Sequence, residues 1–201
     1  MCRRAPPTPE ILMEAIPTSI AVVAIAEIGD KTQLLAIVLA ARFRKPLPII
    51  FGIFAATLLN HAAAAGVGYL VARWLAGQTL QLIVGVAFIV MAGWALIPDK
   101  VGDDSAKRPA HGVFLTTLVA FFLVEIGDKT QIATSLLAAR FDNIALVTIG
   151  TTLGMMLANV PAVFLGEAVT RIVPLKYVRI AAAVLFAATG LWVVLAALGV
   201  A

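Results

Sequence analysis

The hydrophobic positions of the chain form long apolar runs, and short polar stretches separate these runs. A run of about 20 apolar residues is long enough to cross a membrane as a helix, whereas barrel strands give shorter, alternating segments. The composition agrees, because 62% of residues are hydrophobic and only 13% are charged. We therefore predict an all-α integral membrane protein with six helical spans, at approximately 17–40, 47–71, 79–97, 113–138, 144–168 and 177–199.

Two of these runs contain ionisable residues at their centres. The first run holds "AEIGDKTQ" at 26–33, and the fourth holds "VEIGDKTQ" at 124–131. A charged side chain at the centre of a membrane helix costs roughly 2.5–3.5 kcal/mol on insertion scales, and such residues usually mark ion or substrate pathways. The motifs are therefore the first candidates for the functional site.

The motifs belong to a longer internal repeat with a spacing of 98 residues. Residues 27–43 and 125–141 share twelve identities in seventeen positions, and beyond one inserted residue the alignment pairs Asn60 with Asn159. Each copy holds three predicted spans, so the second copy would enter the membrane from the opposite side, as in many secondary transporters. We predict two inverted three-helix repeats, with a mobile N-terminal tail at 1–16, repeats at 17–98 and 113–201, and a cytoplasmic linker at 99–112.

The basic residues indicate the orientation of the spans. Nine of them lie in the loops on the linker side of the membrane and four on the opposite side, which by the positive-inside rule places both termini outside the cytoplasm. They form no cluster with interleaved aromatic residues, so the net charge of +4 does not indicate nucleic-acid binding. Membrane lipid is the expected surrounding, and the sequence leaves the oligomeric state open.

The motif residues suit a hard divalent cation. On a regular helix Glu27, Asp30 and Lys31 share one face, and two such faces meeting at a pseudo-two-fold axis would bring four carboxylates together. Oxygen ligands suit Mn²⁺, Ca²⁺ or Mg²⁺, whereas Zn²⁺ and Cu⁺ prefer imidazole and thiol groups. We predict as metal ligands Glu27, Asp30, Glu125 and Asp128, and as supporting ligands or gating groups Lys31, Thr32, Gln33, Lys129, Thr130 and Gln131.

Other polar residues at membrane depth allow two interpretations. Asn60, His61 and Asn159 could line an ion pathway or make interhelical hydrogen bonds. The motifs could likewise form intrahelical ion pairs between each glutamate and the lysine four residues later, but that would leave each aspartate without a basic partner. Thr32 could reach a cation bound at Glu27 only if the helix unwinds near Gly29.

Enzymatic alternatives find little support in the residues. Intramembrane aspartyl proteases use a G-x-G-D motif, whereas this chain has "EIGD", and a lysine after each aspartate would hinder proton sharing. The sequence contains no P-loop or dinucleotide fingerprint, so neither ATP-driven pumping nor a resident cofactor is expected. A small inverted-repeat exporter of another substrate, similar to the lysine-exporter superfamily, or a channel remains the alternative.

The doubled motif resembles the Gdt-type cation/proton exchangers, whose hallmark is two copies of E-x-G-D-[KR]-[TS]. Both copies are intact here, as "EIGDKT" at 27–32 and at 125–130. The resemblance implies a six-helix inverted repeat, a cytosolic central loop, and one cation site shared by the motifs. It further implies export of a divalent cation, Mn²⁺ first and Ca²⁺ second, in exchange for protons. The short linker is similar to that of compact bacterial members, which implies a bacterial inner membrane.

Overall fold

The computed structural model describes residues 9–75, 78–97, 112–165 and 175–200, and every regular element in these ranges is an α-helix. The described ranges contain eight helices: α1 (Pro9–Glu27), α2 (Lys31–Phe43), α3 (Pro46–Trp74), α4 (Gln78–Ala95), α5 (Val113–Glu125), α6 (Lys129–Phe141), α7 (Ile144–Leu165) and α8 (Leu175–Ala197). Four of them, α3, α4, α7 and α8, contain stretches long and apolar enough to cross a membrane. This confirms the prediction of an all-helical, multi-pass membrane protein.

The helices expected at 17–40 and 113–138 are each interrupted inside the motif, so the unwinding that the sequence left open occurs in both. Helix α1 ends at the motif glutamate and α2 begins three residues after Ile28, and α5 and α6 repeat this break. The cause is the motif glycine, because Gly29 has φ +79° and Gly127 has φ +75°, values that other residues rarely adopt. The motif groups therefore do not share one helical face.

The predicted domain boundaries stay predictions, and the structure adds only the start of the first helix. Helix α1 begins at Pro9, so the expected tail at 1–16 is helical from that residue, consistent with the preference of proline for the first turn. Residues 1–8 lie outside the described ranges, as do residues 99–111 of the expected linker and residues 166–168 of the expected fifth span.

Identical contacts recur in the two halves at the repeat spacing of 98 residues. A Cβ built on Gly52 of α3 would lie 2.7 Å from the Cβ of Thr117 in α5, and one built on Gly150 of α7 would lie 2.7 Å from the Cβ of Ser19 in α1. Both glycines let a helix pack closely against its neighbour from the other half. Helix α3 therefore packs closely against α5, which leads into the second motif, and α7 packs closely against α1, which leads into the first.

The last helix of each half packs against its counterpart. The rings of Phe88 in α4 and Phe186 in α8, again 98 residues apart, stack with centroids 6.1 Å from each other. Gly85 and Gly190 allow these two helices to approach closely, since a Cβ on Gly190 would lie 2.6 Å from the carbonyl oxygen of Gly85. The α4–α8 pair lies beside α1 and α6, and so flanks the two motif breaks.

The register of α3 and α7 corrects one step of the repeat alignment. Both helices run unbroken from equivalent starts, and their buried positions match at a spacing of 98 residues. An inserted residue would rotate all later side chains by about 100°, which the burial pattern does not show. Asn159 therefore corresponds to His61, and Asn60 corresponds to Ala158 rather than to Asn159.

Gly68→Ala is expected to destabilise the contact between α3 and α6. A Cβ at this position would lie 1.9 Å from the backbone oxygen of Ser135, which cannot move without shifting α6. Overpacking of this kind costs about 1–3 kcal/mol, or a melting temperature lowered by about 5 °C. Gly66→Ala is the matched control on the same helix, because a Cβ there meets no described atom within 4 Å. Equal melting temperatures for the two variants in detergent would contradict the contact.

Candidate cation site

The ion pairs of the motifs cross between the two halves. The ammonium nitrogen of Lys31 lies 2.9 Å from Oδ1 of Asp128, and that of Lys129 lies 3.1 Å from Oδ1 of Asp30. The intrahelical pairing considered from the sequence is therefore wrong, because the helix is broken between each glutamate and its lysine. Both aspartates have basic partners, contrary to the argument from helical spacing. The two pairs are equivalent under the 98-residue repeat, so the motifs face each other.

Three motif carboxylates converge on one point in the interior. One oxygen each from Glu27, Asp30 and Asp128 can be chosen so that all three lie within 4.8 Å of one another. All three residues are at most 2% exposed. Carboxylate oxygens gathered from both motifs are the donor set that a hard divalent cation requires. The geometry brings together three of the four predicted metal ligands.

The fourth predicted ligand, Glu125, lies close by but has a different partner. Its charge is near enough to act on Glu27, and the charges of Asp30 and Asp128 act on Glu125. Its Oε2 accepts a hydrogen bond of 3.1 Å from Nδ2 of Asn60. Glu125 thus places a further carboxyl group beside the cluster of three carboxylates.

The break in the first motif also brings Thr32 to Glu27. The Thr32 hydroxyl donates a hydrogen bond to Oε2 of Glu27, although on an unbroken helix the two side chains would point about 140° apart. This is the unwinding near Gly29 that the sequence analysis required before Thr32 could reach the site. In the second motif Thr130 instead donates to Oδ2 of Asp128 at 3.3 Å.

The motif glutamines support the breaks. Oε1 of Gln33 accepts the backbone N–H of Gly29 at 2.8 Å, and Oε1 of Gln131 accepts that of Gly127 at 2.7 Å. Gln33 also donates through Nε2 to the carbonyl oxygen of Ala158 at 3.0 Å. Because their amide oxygens satisfy backbone donors, these glutamines hold the unwound segments in place.

The three predicted pathway residues beyond the motifs make different contacts. Asn60 reaches Glu125, whereas Nδ2 of Asn159 donates at 3.1 Å to the carbonyl oxygen of Met155, one turn earlier on its own helix. His61 is 1% exposed, and neither ring nitrogen has a hydrogen-bond partner among the described residues. The structure therefore brings one of the three predicted pathway residues to the motifs by a direct hydrogen bond.

Sequence reasoning missed the contribution of Ala158. Its backbone carbonyl anchors Gln33, and its small side chain stands at the position that corresponds to Asn60. No residue pattern reveals which carbonyl accepts a hydrogen bond. The repeat alignment could have revealed the correspondence if it had kept the spacing of 98 through α3 and α7.

A narrow recess leads to the ion pair between Asp30 and Lys129. Its lining comes from the end of α1 and the following turn, together with Ala95 at the end of α4 and with Ala182 and Phe186 of α8. Its accessible volume of about 10 Å³ has room for no more than one water molecule beside these charged groups. The arrangement can bind a divalent cation with oxygen ligands and offers ammonium groups as alternative positive charges.

Comparison with known proteins agrees with this chemistry. The family model described as divalent cation/proton antiporter GDT1 matches residues 15–103 and 113–200. A Vibrio cholerae protein named "Putative manganese exporter" is 51% identical over 178 residues, covering 88% of each chain. A GDT1-like protein of Synechocystis is 27% identical over 194 residues, covering 87% of this chain and 94% of its own. GDT1-like protein 3 of rice (Oryza sativa subsp. indica) is 26% identical over 202 residues, covering 87% and 71%. No solved structure matches the chain.

Proposed function

Because the chain belongs to the GDT1 family of divalent cation/proton antiporters, we propose that it exports Mn²⁺ from the cytoplasm in exchange for protons. The family is one of transporters and not of enzymes, which removes intramembrane proteolysis from consideration. The observation that carries the proposal is the convergence of Glu27, Asp30 and Asp128, from both motifs, within 4.8 Å in the protein interior. Mn²⁺ is preferred to Ca²⁺ because the Vibrio cholerae relative is named for manganese export.

The proposed cation site joins carboxylates to neutral oxygens. Glu27, Asp30 and Asp128 bind the cation, Glu125 contributes further negative charge, and the hydroxyl groups of Thr32 and Thr130 add oxygen donors. Mn²⁺ accepts such a set, since carboxylate and carbonyl oxygens suit this metal. Two groups act beside the ligands: Gln33 and Gln131 hold the unwound segments, and Lys31 and Lys129 act as gating groups.

The ammonium groups of Lys31 and Lys129 compete with the cation for the aspartate carboxylates. Each ammonium group lies against an aspartate of the opposite motif, at 2.9 Å for Lys31 and 3.1 Å for Lys129. A cation entering the carboxylate cluster must share or displace these contacts, because like charges repel strongly where water is scarce. Binding and release of the cation then move side chains on both halves, which couples occupancy to the relative position of the repeats.

The proposed architecture is two inverted repeats, at 17–98 and 113–201, that rock about the shared site. Helices α1 and α2 form one broken span and α5 and α6 another, which with the four long helices gives six spans. The reciprocal ion pairs and the recurring glycine contacts support a pseudo-two-fold relation between the repeats. In this arrangement both termini lie outside the cytoplasm, in a bacterial inner membrane, and the linker at 99–112 is cytoplasmic.

The recess beside Asp30 fits export in this orientation. Ala95, which lines it, is the last residue of α4 and precedes the proposed cytoplasmic linker. The recess would then approach the site from the cytoplasmic half of the membrane, where the exported cation is taken up. Alternating access would close this approach and open one on the opposite side.

Purified protein in proteoliposomes is expected to accumulate Mn²⁺ when the vesicle interior is acidic relative to the medium. Initial uptake should be followed with Mn²⁺, Ca²⁺, Mg²⁺ and Zn²⁺ under the same pH gradient. Mn²⁺ should be fastest because the Vibrio cholerae relative is named for manganese export, and Zn²⁺ should be slow because it prefers nitrogen and sulfur ligands. Protein-free vesicles, and vesicles without a pH gradient, are the controls. Uptake of none of the four cations above these controls would contradict the proposal, and uptake without proton movement would favour a channel.

A further inference from the structure

We propose that the two motif glutamates have different roles, with Glu27 binding the transported cation and Glu125 held away from it by Asn60, a positioning residue. This inference rests on the proposed function and deepens it. The repeat makes the two motifs identical from glutamate to glutamine, so their difference must come from the residues that surround them. Among the residues that differ, Asn60 on α3 donates a hydrogen bond to a motif glutamate, and its counterpart on α7 is Ala158.

The contacts of Asn60 tie Glu125 to the end of its own helix. The Nδ2 group of Asn60 donates to Oε2 of Glu125 at 3.1 Å and to the carbonyl oxygen of Phe122 at 3.1 Å. Asn60 therefore donates both of its amide hydrogens to the last turn of α5. Asn60 is 2% exposed and Glu125 is 1% exposed, so water does not compete effectively for these bonds. The bond to a carboxylate is of the stronger, charge-assisted kind.

The other half has no such anchor for Glu27. The residue that corresponds to Asn60 is Ala158, whose methyl group cannot donate a hydrogen bond. The carbonyl oxygen of Ala158 is instead bound by Gln33, so α7 supports the motif through its backbone. Glu27 accepts its hydrogen bond from Thr32 within its own motif and joins Asp30 in the carboxylate cluster.

This difference between Asn60 and Ala158 is built into the sequence. An asparagine at position 158 would be needed to make the halves equivalent, and rocking of the repeats cannot supply one. Glu125 then stays bound to Asn60 beside the site, while Glu27 makes and breaks contact with the cation. The transporter would therefore use one glutamate for exchange, although its motifs contain two.

The test compares Mn²⁺ binding to Glu27→Gln and Glu125→Gln variants of the full chain in detergent, measured by calorimetry. Glu27→Gln is expected to weaken binding at least about 10-fold more than Glu125→Gln, because only the first removes a ligand. Equal weakening by the two substitutions, or greater weakening by Glu125→Gln, would overturn the inference. These two variants decide it even if substitutions at Asn60 prevent folding.

The positioning role of Asn60 is tested by repeating both measurements in an Asn60→Leu background, which keeps the branched shape of the side chain but removes the donor. Release of Glu125 should let it approach the cation, so that Glu125→Gln now weakens Mn²⁺ binding about 10-fold or more. A merely structural asparagine would lower the affinity of all variants equally and leave the difference between the glutamates unchanged. That result would overturn the assignment of Asn60.

Thr57→Val is the matched background, because it alters another buried polar residue of α3 one turn earlier. In the Thr57→Val background the Mn²⁺ affinities of the two glutamate variants should differ as much as they do in the wild-type background. If Thr57→Val changes that difference as much as Asn60→Leu does, Asn60 is not a specific anchor. Failure of the proposed function is seen separately, as wild-type protein that binds no divalent cation. In that case both the proposed function and the inference about the glutamates are wrong. If the wild type binds Mn²⁺ and the two glutamate substitutions weaken binding equally, only the inference about the glutamates is wrong.

Discussion

Asp30→Asn and Asp128→Asn are each expected to reduce Mn²⁺ transport at least about 100-fold. Each substitution removes a ligand of the proposed cation site and also the partner of a lysine from the opposite motif. The loss at Asp30 should be the more disruptive, because its partner Lys129 has a side chain only 7% exposed. A buried charge without its partner typically destabilises a protein by about 3–5 kcal/mol.

Two controls separate loss of the ligand from loss of the fold. Asp142→Asn changes the acidic residue after α6, away from the motifs, where asparagine tolerates the observed φ of +51°. It should transport normally. Asp30→Asn combined with Lys129→Met removes both members of a buried ion pair, so the protein should insert and stay folded yet remain inactive. Normal transport by either single aspartate variant would exclude a site shared by the two motifs.

The apolar helical runs could be predicted from the sequence, but the breaks inside two of them could not. Hydropathy averages over about 20 residues, so the three-residue turn at Ile28, Gly29 and Asp30 disappears within an apolar run. The glycine in each motif was noticed, yet glycine in a membrane helix serves close packing as often as unwinding. Only the observed positive φ of Gly29 and Gly127 distinguishes the two uses.

The members of the site were easier to predict than their pairing. Charged groups in an apolar run are conspicuous, which is why Glu27, Asp30 and Asp128 were all singled out. The pairing of Lys31 with Asp128 depends on how the halves meet, and helical spacing within one segment carries no information about that. The anchor at Asn60 is hidden for another reason, because the halves share few identities in α3 and α7 and an alignment with one inserted residue pairs Asn60 with Asn159.

Proton coupling is the second property for which a large effect is expected, and it follows from the charge of the site. The four motif acids and two motif lysines give a net charge of −2 when all are ionised. One divalent cation neutralises this charge, and so do two protons bound to the carboxylates in its place. A neutral site can change its exposure without working against the membrane potential, which otherwise contributes about 2.3 kcal/mol per elementary charge at 100 mV.

The expected stoichiometry is therefore one Mn²⁺ for two protons, with little net charge moved. Protons and the cation compete for the same carboxylates, so the affinity for Mn²⁺ should fall as the pH is lowered and recover as it is raised. At this stoichiometry a gradient of one pH unit should balance about a 100-fold gradient of Mn²⁺, which is a free energy of about 2.7 kcal/mol. A bacterial proton gradient directed inward would then drive the cation outward.

Reversal measurements in proteoliposomes distinguish this mechanism from its competitors. Mn²⁺ gradients are imposed against a series of pH gradients at zero voltage, and the gradient at which net flux stops should shift about 100-fold for each pH unit. Changing the membrane voltage with a potassium gradient and valinomycin should shift it little, because a 1:2 exchange carries no net charge. A one-proton exchange would shift the balance about 10-fold per pH unit and respond to voltage. Flux that follows voltage and ignores pH would indicate a channel or uniporter instead of an antiporter. The charge of Mn²⁺ alone determines the gradient at which flux stops only when transport is not coupled to protons.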